Sequence, residues 1–337
     1  MRAMVRAPLL SAAGRTAGVP LAVARRHAGG RTAFLGAMGI GLGAAALFSS
    51  SFVVNRSMQL GGGAWEWTAS LRYLMILPLL AAIVGARRGL SPVLGALRER
   101  PGRWLLWSTI GFGLFYAPMA FAVSAGPGWL LAGTWQLTIL AGILLAPVLY
   151  DDERAVIPRR AVGGALVVLA GVALMQAEHV RGVGAGVLLV GVAPVIVAAF
   201  AYPAGNRKTM ELAGAKLDTW QRILAMVIAS LPFWLVLATV GLLHAGAPGG
   251  AQLAQSAVVA VVSGLLATAL FFAATARVRR DPARLAAVEA TQSGEVVFAT
   301  GLEAMLLGAG LPSPVAWVGI ALIVAGIGST VLRDRVR

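Results

Sequence analysis

Ten stretches of about 20 almost wholly apolar residues follow one another along this chain, with only short polar turns between them. They lie near 33–54, 67–86, 104–124, 128–149, 160–177, 184–204, 219–242, 256–276, 285–307 and 313–332. A helix of about 20 apolar residues spans the hydrocarbon core of a bilayer, whereas a helix on a soluble domain keeps one face polar. Nothing between these runs is long enough to build a water-soluble domain. Charged residues make up 12% of the chain, about half the roughly 25% usual in soluble domains. The expected fold class is therefore all-α integral membrane, with ten transmembrane helices. The ninth stretch is the least apolar, because it holds three glutamates.

The formal net charge of +15 invites a nucleic-acid reading, but the placement of the basic residues argues against it. They sit between the apolar runs and form no basic-plus-aromatic groove that could track a phosphate backbone. With the N-terminus taken as cytoplasmic, the segments facing the cytoplasm hold 24 Lys and Arg, Arg207 among them, while the opposite loops hold Arg56 and Arg181. Translocated loops avoid these residues, so both termini are expected in the cytoplasm. Residues 1–31 carry six arginines and no acid. They lack the apolar core of a secretory signal and read as a basic, disordered cytoplasmic tail, with a second tail at 333–337. The chain has no cysteine, which excludes disulfides and thiolate metal sites. His27, His179 and His244 all lie outside the apolar runs, so no cofactor or metal is expected. The Ala-, Gly- and Arg-rich usage points to a bacterial gene, and hence to the plasma membrane.

The chain repeats itself once. Asn55-Arg56-Ser57-Met58 closes the first stretch, and Trp67 to Arg72 opens the second. Asn206-Arg207-Lys208-Thr209-Met210 follows the sixth, and Trp220-Gln221-Arg222 opens the seventh. The Asn-to-Arg separations are 17 and 16 residues. Thr134-Trp135-Gln136 in the fourth stretch answers Ala290-Thr291-Gln292 in the ninth, and Gln136 to Gly171 is 35 residues where Gln292 to Gly326 is 34. Two five-helix repeats, 32–180 and 181–332, are expected. Five is odd, so the second enters the membrane from the opposite side. Inverted repeats let one architecture open alternately to either face, which serves a carrier.

Ten helices arranged this way resemble the EamA-type branch of the drug/metabolite transporter superfamily. More narrowly, Phe48 to Met58, followed by Gly62-Gly63-Ala64-Trp65-Glu66-Trp67 and Ser70-Leu71-Arg72-Tyr73, is similar to the multidrug resistance efflux transporters. The resemblance covers roughly 33–332 and implies a secondary transporter exporting a drug or metabolite. Small four-helix exporters of the superfamily carry a glutamate in helix 1 that binds proton and cationic drug in turn. The first stretch here has no acid, so that role does not transfer to it.

Ionisable residues inside a membrane are costly and mark pathways by default. Glu289, Gln292, Glu295, Thr300 and Glu303 fall on one face of the ninth stretch, about 140° wide at helical periodicity. Glu295 is nearest the middle and is the candidate for carrying a proton through each cycle. Glu289 and Glu303, near the ends, read either as part of the same site or as solvated at the interface. Arg72 and Arg222 occupy matching places in the two repeats. They read as snorkelling cations, as partners for the glutamates, or as sites for an anionic group. Trp135 and Gln136, with Gln292, are candidates for holding the solute, since an indole face attracts an organic cation. Tyr116, Pro118 and Tyr202-Pro203 mark possible bends near a cavity. Glu66, between two tryptophans, reads as an interfacial belt, and Asp151-Asp152-Glu153 as a solvated cluster.

No GxxxxGK[ST] loop is present, so the chain carries no ATPase of that type. The expected function is secondary-active export of a small organic solute by alternating access, with protons as a candidate coupling ion. The bilayer and a small-molecule substrate are its partners, and nucleic acid is not. Both repeats lie in one chain, so a monomer can form the cavity. A lipid-modifying membrane enzyme and a non-transporting scaffold are the alternatives. The first would need clustered acids or histidines at metal-ligand spacing, and the second would not need a polar ninth stretch.

Overall fold

The computed structural model describes residues 21–125, 128–157, 159–177, 184–306 and 313–332, and these are helical almost throughout. Each apolar stretch coincides with one helical rod: α1 (Leu21–Leu60), α2 (Trp65–Arg87), α3 (101–125), α4 (128–149), α5 (Arg159–Gln176), α6 (Ala185–Ala213), α7 (Thr219–Ala245), α8 (Gly250–Val278), α9 (282–306) and α10 (Pro314–Leu332). α1 begins at Leu21 and so runs through the last part of the segment expected to be a tail. A short amphipathic helix, Ser91–Glu99, occupies the turn between α2 and α3. Arg181 lies outside the described residues.

Spans in α1, α2, α3, α6, α7 and α8 are long and apolar enough to cross a bilayer, and Leu131–Leu144, Ala161–Met175 and Pro314–Ile327 are shorter apolar helices. Large apolar side chains such as Leu243, Val148 and Leu189 point outward, as they do where the surrounding solvent is lipid. The chain is an all-helical membrane protein.

Local sequence sets where the rods start and stop. At the head of α7 the Asp218 carboxylate accepts from the Gln221 backbone N–H (2.9 Å), while the Gln221 side chain accepts from the Asp218 N–H (3.1 Å). This reciprocal cap satisfies two donors that a helix start leaves unpaired. At the head of α9 Asp281 accepts from the N–H groups of Ala283 and Arg284, with Pro282 in the first helical position. Proline fits there because its missing N–H would be unpaired in any case.

Two rods of each half are irregular. π-helical turns interrupt α3 at Thr109–Gly113 and α8 at Ala260–Ala267. A turn of this kind admits an extra residue and rotates the remainder of the rod, and such turns recur at functional sites. α4 breaks at Gln136, and α9 tightens to a 3-10 turn at Thr291–Ser293. There the Thr291 and Ser293 hydroxyls donate to the carbonyls of Val288 and Ala290, three residues back. Such back-bonding competes with the regular helical ladder.

Packing follows a paired pattern. α2 lies on α7 and α5 on α10; α1 contacts α8 and α9, and α6 contacts α3 and α4. The α5–α10 crossing is close: a Cβ on Gly171 would sit 2.6 Å from the Gly319 carbonyl oxygen, and one on Gly319 2.5 Å from that of Gly171. Buried apolar residues form two clusters. One is centred on α2, α3, α6, α7 and α8; the other is built from α4, α5, α9, α10 and the first part of α1.

One residue departs from the charge distribution expected of the loops. Arg207, which hydropathy places in a cytoplasmic loop, sits inside α6 and is 3% exposed. The helix continues past Pro203 for another ten residues, to Ala213, so the apolar run ends before the helix does.

Candidate functional site

Where the two clusters meet, a narrow cavity opens between α1, α2, α3, α4, α6, α8 and α9, with about 460 Å³ of non-atom space when its open mouth is included. Its walls are largely aromatic. Phe115 packs on Trp135 and on Tyr202 with ring centroids 5.2 and 4.5 Å apart, and Trp135 and Tyr202 are 5.8 Å apart. Phe48 and Phe52 of α1 complete this wall. The irregular turns supply much of the lining: Phe115 and Tyr116 come just after the π turn of α3, Ser263 lies inside that of α8, Trp135 precedes the break in α4, and Gln292 sits in that of α9.

Two ionisable side chains face this space. Glu295 is 3% exposed, and the Trp135 indole N–H donates to its carboxylate. Arg72 is 2% exposed, its guanidinium carbon 4.2 Å from the Tyr116 ring centroid and 5.8 Å from that of Tyr73. Tyr116 is held in place by Asn55, whose side-chain amide donates to the phenol oxygen at 3.1 Å. Among the described residues, no ion pair within 4.0 Å joins Arg72 or Glu295 to another charged side chain. Three buried polar atoms on the lining have no hydrogen-bond partner: Arg72 Nε, Tyr202 Oη and Ser263 Oγ. Unpaired buried donors are uncommon in native proteins. Here all three belong to one cavity.

The structure divides the sequence-derived candidates. Glu295, Gln292, Trp135 and Arg72 line the cavity together. Gln136 is fully buried beside it; its amide donates to the Ala132 carbonyl at 3.2 Å while its oxygen is unpaired. Arg222 lies elsewhere, 3% exposed, with its guanidinium carbon 4.0 Å from the Phe272 ring centroid. Arg72 and Arg222, at matching repeat positions, thus both stack on an aromatic ring, of α3 and α8 respectively. The Glu303 side chain lies outside the described residues. Glu66, expected at the interface, is 2% exposed and 2.9 Å from Nδ1 of His244.

Glu289 is not in the cavity. It takes a bidentate ion pair from Arg207, Nε to Oε1 at 3.1 Å and Nη2 to Oε2 at 2.6 Å, with side chains 4% and 6% exposed. The break at Thr291–Ser293 separates Glu289 from Glu295, so the single polar face drawn at regular helical period does not persist along α9. Arg207 is the residue that sequence reasoning misses. Its signal is the buried polar run Asn206, Arg207 and Thr209, which argues that the helix continues beyond the apolar stretch.

The comparisons with known proteins agree with this architecture. The family described as "Putative multidrug resistance efflux transporter" (EmrE) matches residues 35–335. "Uncharacterized protein YjlA" of Bacillus subtilis (strain 168) is 48% identical over 297 residues, covering 86% of this chain and 92% of that protein. The "Uncharacterized 42.1 kDa protein in intracellular alkaline protease 3'region" of Shouchella clausii is 45% identical over 282 residues, covering 82% and 74%. A protein of known crystal structure, 18% identical, superposes with a TM-score of 0.68 over 89% of this chain and 98% of that one. That last likeness is one of fold.

Proposed function

This chain belongs to the multidrug resistance efflux transporter family, and on that premise we propose that it is a secondary-active carrier, not an enzyme, exporting a small organic solute by alternating access. The observation that carries the reading is the pair of buried ionisable side chains, Glu295 and Arg72, not joined by an ion pair, on an aromatic cavity deep among the helices. A scaffold gains nothing from that arrangement, because each buried charge without a partner costs several kcal/mol. Glu295 is the coupling carboxylate: protonation there removes its negative charge in one half of the cycle.

Ten helices in two inverted repeats supply the moving parts. Several features support this. The π turns fall in the third rod of each half and the breaks in the fourth. The α1–α8 and α1–α9 packings are mirrored by α6–α3 and α6–α4. With both termini cytoplasmic, the cavity residues Asn55, Met119 and Val123 lie towards the external ends of α1 and α3. Arg207 and Glu289 then lie at the cytoplasmic ends of α6 and α9. The cavity thus lies towards the external half and the Arg207–Glu289 pair towards the cytoplasmic half of the helices, in a bacterial plasma membrane.

The test is uptake into inverted membrane vesicles, with and without an imposed pH gradient, comparing the wild type with Glu295→Gln. Gradient-driven uptake abolished by the substitution is the expected result. Unchanged gradient-driven uptake in the variant would remove Glu295 from the coupling step.

A further inference from the structure

We propose that a second pocket, beside the Arg207–Glu289 pair, is a binding site for a phosphate ester. It lies between α4, α6 and the α8–α9 connection, with about 340 Å³ of non-atom space when its open mouth is included. No side chain lines both this pocket and the cavity of Glu295 and Arg72. Three guanidinium groups line it, those of Arg154, Arg207 and Arg279, and among the described residues no acid does. They come from the α4–α5 loop, from α6 and from the end of α8, so only the fold brings them together.

The three differ in what they have left to give. Arg154 is engaged by Asp152 and Glu211 and forms the rim, its guanidinium carbon 4.0 Å from the Tyr150 ring centroid. Arg207 meets Glu289 through Nε and Nη2, which leaves Nη1 out of that pair. Arg279 donates from Nη1 to the Gly214 carbonyl at 3.0 Å, and among the described residues no carboxylate lies within 4.0 Å of it. Arg207 Nη1, the rest of the Arg279 fork and the Tyr150 phenol are therefore the donors for a ligand. A guanidinium stays charged, and its planar fork matches the oxygens of a phosphate. The stretch from Arg277 to Arg284 holds four arginines against one acid, Asp281, a field that gathers anions at the mouth. A neutral solute would leave Arg279 uncompensated, and a carboxylate brings only two oxygens to donors on three elements. A phosphate ester brings three oxygens and up to two charges. Ile143 and Leu285 also line the pocket, which suits the organic body of an ester better than bare hydrated phosphate. Such a group comes either from a lipid headgroup or from a soluble metabolite.

The experiment measures equilibrium binding of three probes to the purified full-length protein in neutral detergent. Glycerol 3-phosphate and dihexanoyl phosphatidic acid share one headgroup, and glycerate carries a carboxylate in its place. Both phosphate probes should bind saturably, one per chain, and more tightly than glycerate. Arg279→Gln should weaken them by roughly ten- to a hundredfold, the range for losing hydrogen bonds to a charged group, and Arg279→Lys by less. Arg280→Gln makes the same charge change on an exposed neighbour outside the lining and should leave binding nearly unaltered. Glu289→Gln should tighten binding severalfold by releasing Arg207, a sign opposite to that of damage to the fold. Tighter binding of the dihexanoyl form, counting only the part that Arg279→Gln abolishes, would support a lipid headgroup as the source. Equal binding of the two would support a soluble ester. Failure of folded wild-type protein to bind either phosphate probe would overturn the site. So would glycerate binding as tightly as glycerol 3-phosphate, or equal losses in Arg279→Gln and Arg280→Gln.

Discussion

Arg207 of α6 and Glu289 of α9 form a two-pronged ion pair, 2.6 and 3.1 Å, with both side chains almost wholly buried. Desolvation offsets much of the attraction in such a pair, so its net worth differs from the cost of breaking it. Arg207→Ala or Glu289→Ala should each lose about 3–5 kcal/mol, because the survivor is a buried charge with no partner. Replacing both together, as Arg207→Leu with Glu289→Met, should cost far less than either alone. Thermal unfolding in detergent across this double-mutant cycle reads the coupling directly. Additive losses would mean the two side chains do not depend on each other.

Gly142 of α4 leaves room for that pair. A Cβ at this position would lie 2.5 Å from Glu289 Oε2 and 3.4 Å from an Arg207 terminal nitrogen. Gly142→Ala should therefore destabilise by about 1–3 kcal/mol, the usual cost of overpacking a filled site. The same substitution in the Arg207→Ala background should cost less, since the carboxylate is then free to move. A loss of the same size in both backgrounds would assign the strain to the helix packing instead.

Much of this architecture is legible in the sequence, and the rest is hidden for specific reasons. The ten rods follow from hydropathy, because lipid demands about 20 apolar residues per crossing and little else does. Glu295, Gln292, Trp135 and Arg72 stand out as polar or aromatic exceptions inside apolar runs, and they share one cavity. Glu289 cannot be separated from them by pattern, because a uniform 100° per residue assumes a regular helix and α9 is not regular at Thr291–Ser293. Arg207 falls in a loop by hydropathy, which marks where the lipid-facing run ends and not where the helix ends. Asn55 and Ser263 carry no charge, and only the fold brings them to the cavity, whereas Tyr202, expected near a cavity from its place beside Pro203, lines it.

Trp135 is expected to act on the site through its N–H as well as its ring. Trp135→Phe keeps an aromatic wall but removes the donor to Glu295. It should weaken solute binding less than Trp135→Leu does, while changing the pH dependence of uptake, which the leucine variant should also change. A profile unaltered in the phenylalanine variant would show that the indole N–H does not govern the carboxylate.

On the loop between α4 and α5, Arg154 donates to Asp152 from its backbone N–H and its guanidinium, and pairs with Glu211 at 2.6 Å. These bonds favour the ionised carboxyl and hold it down to about 2, below its ordinary 3.8. A group whose folded value is depressed contributes above the ordinary value and loses that contribution as the pH falls. The Asp152 link should therefore be intact at neutral pH and lost only between about 4 and 2. Nuclear magnetic resonance of the labelled side-chain carboxyl should show Arg154→Ala returning Asp152 to the ordinary range. Uptake should be unaffected, since the cluster is exposed and distant from the cavity lining.

The inverted arrangement makes a prediction about sidedness that the chain is unusually suited to test, because it contains no cysteine. Leu60, at the end of α1, and Lys216, just after α6, lie in corresponding connections of the two halves, and both are exposed. If the second half is inverted, these two connections face opposite sides of the membrane. If the halves are parallel copies, they face the same side. Leu60→Cys should be labelled by a membrane-impermeant maleimide added to intact cells, whereas Lys216→Cys should react only after the cells are opened. The charge distribution requires this direction and not the reverse, since Lys216 belongs to a basic segment and the α1–α2 connection holds no Lys or Arg beyond the nearby Arg56. Labelling of both positions in intact cells would remove the inverted repeat, and with it the structural basis for alternating access by two rocking halves.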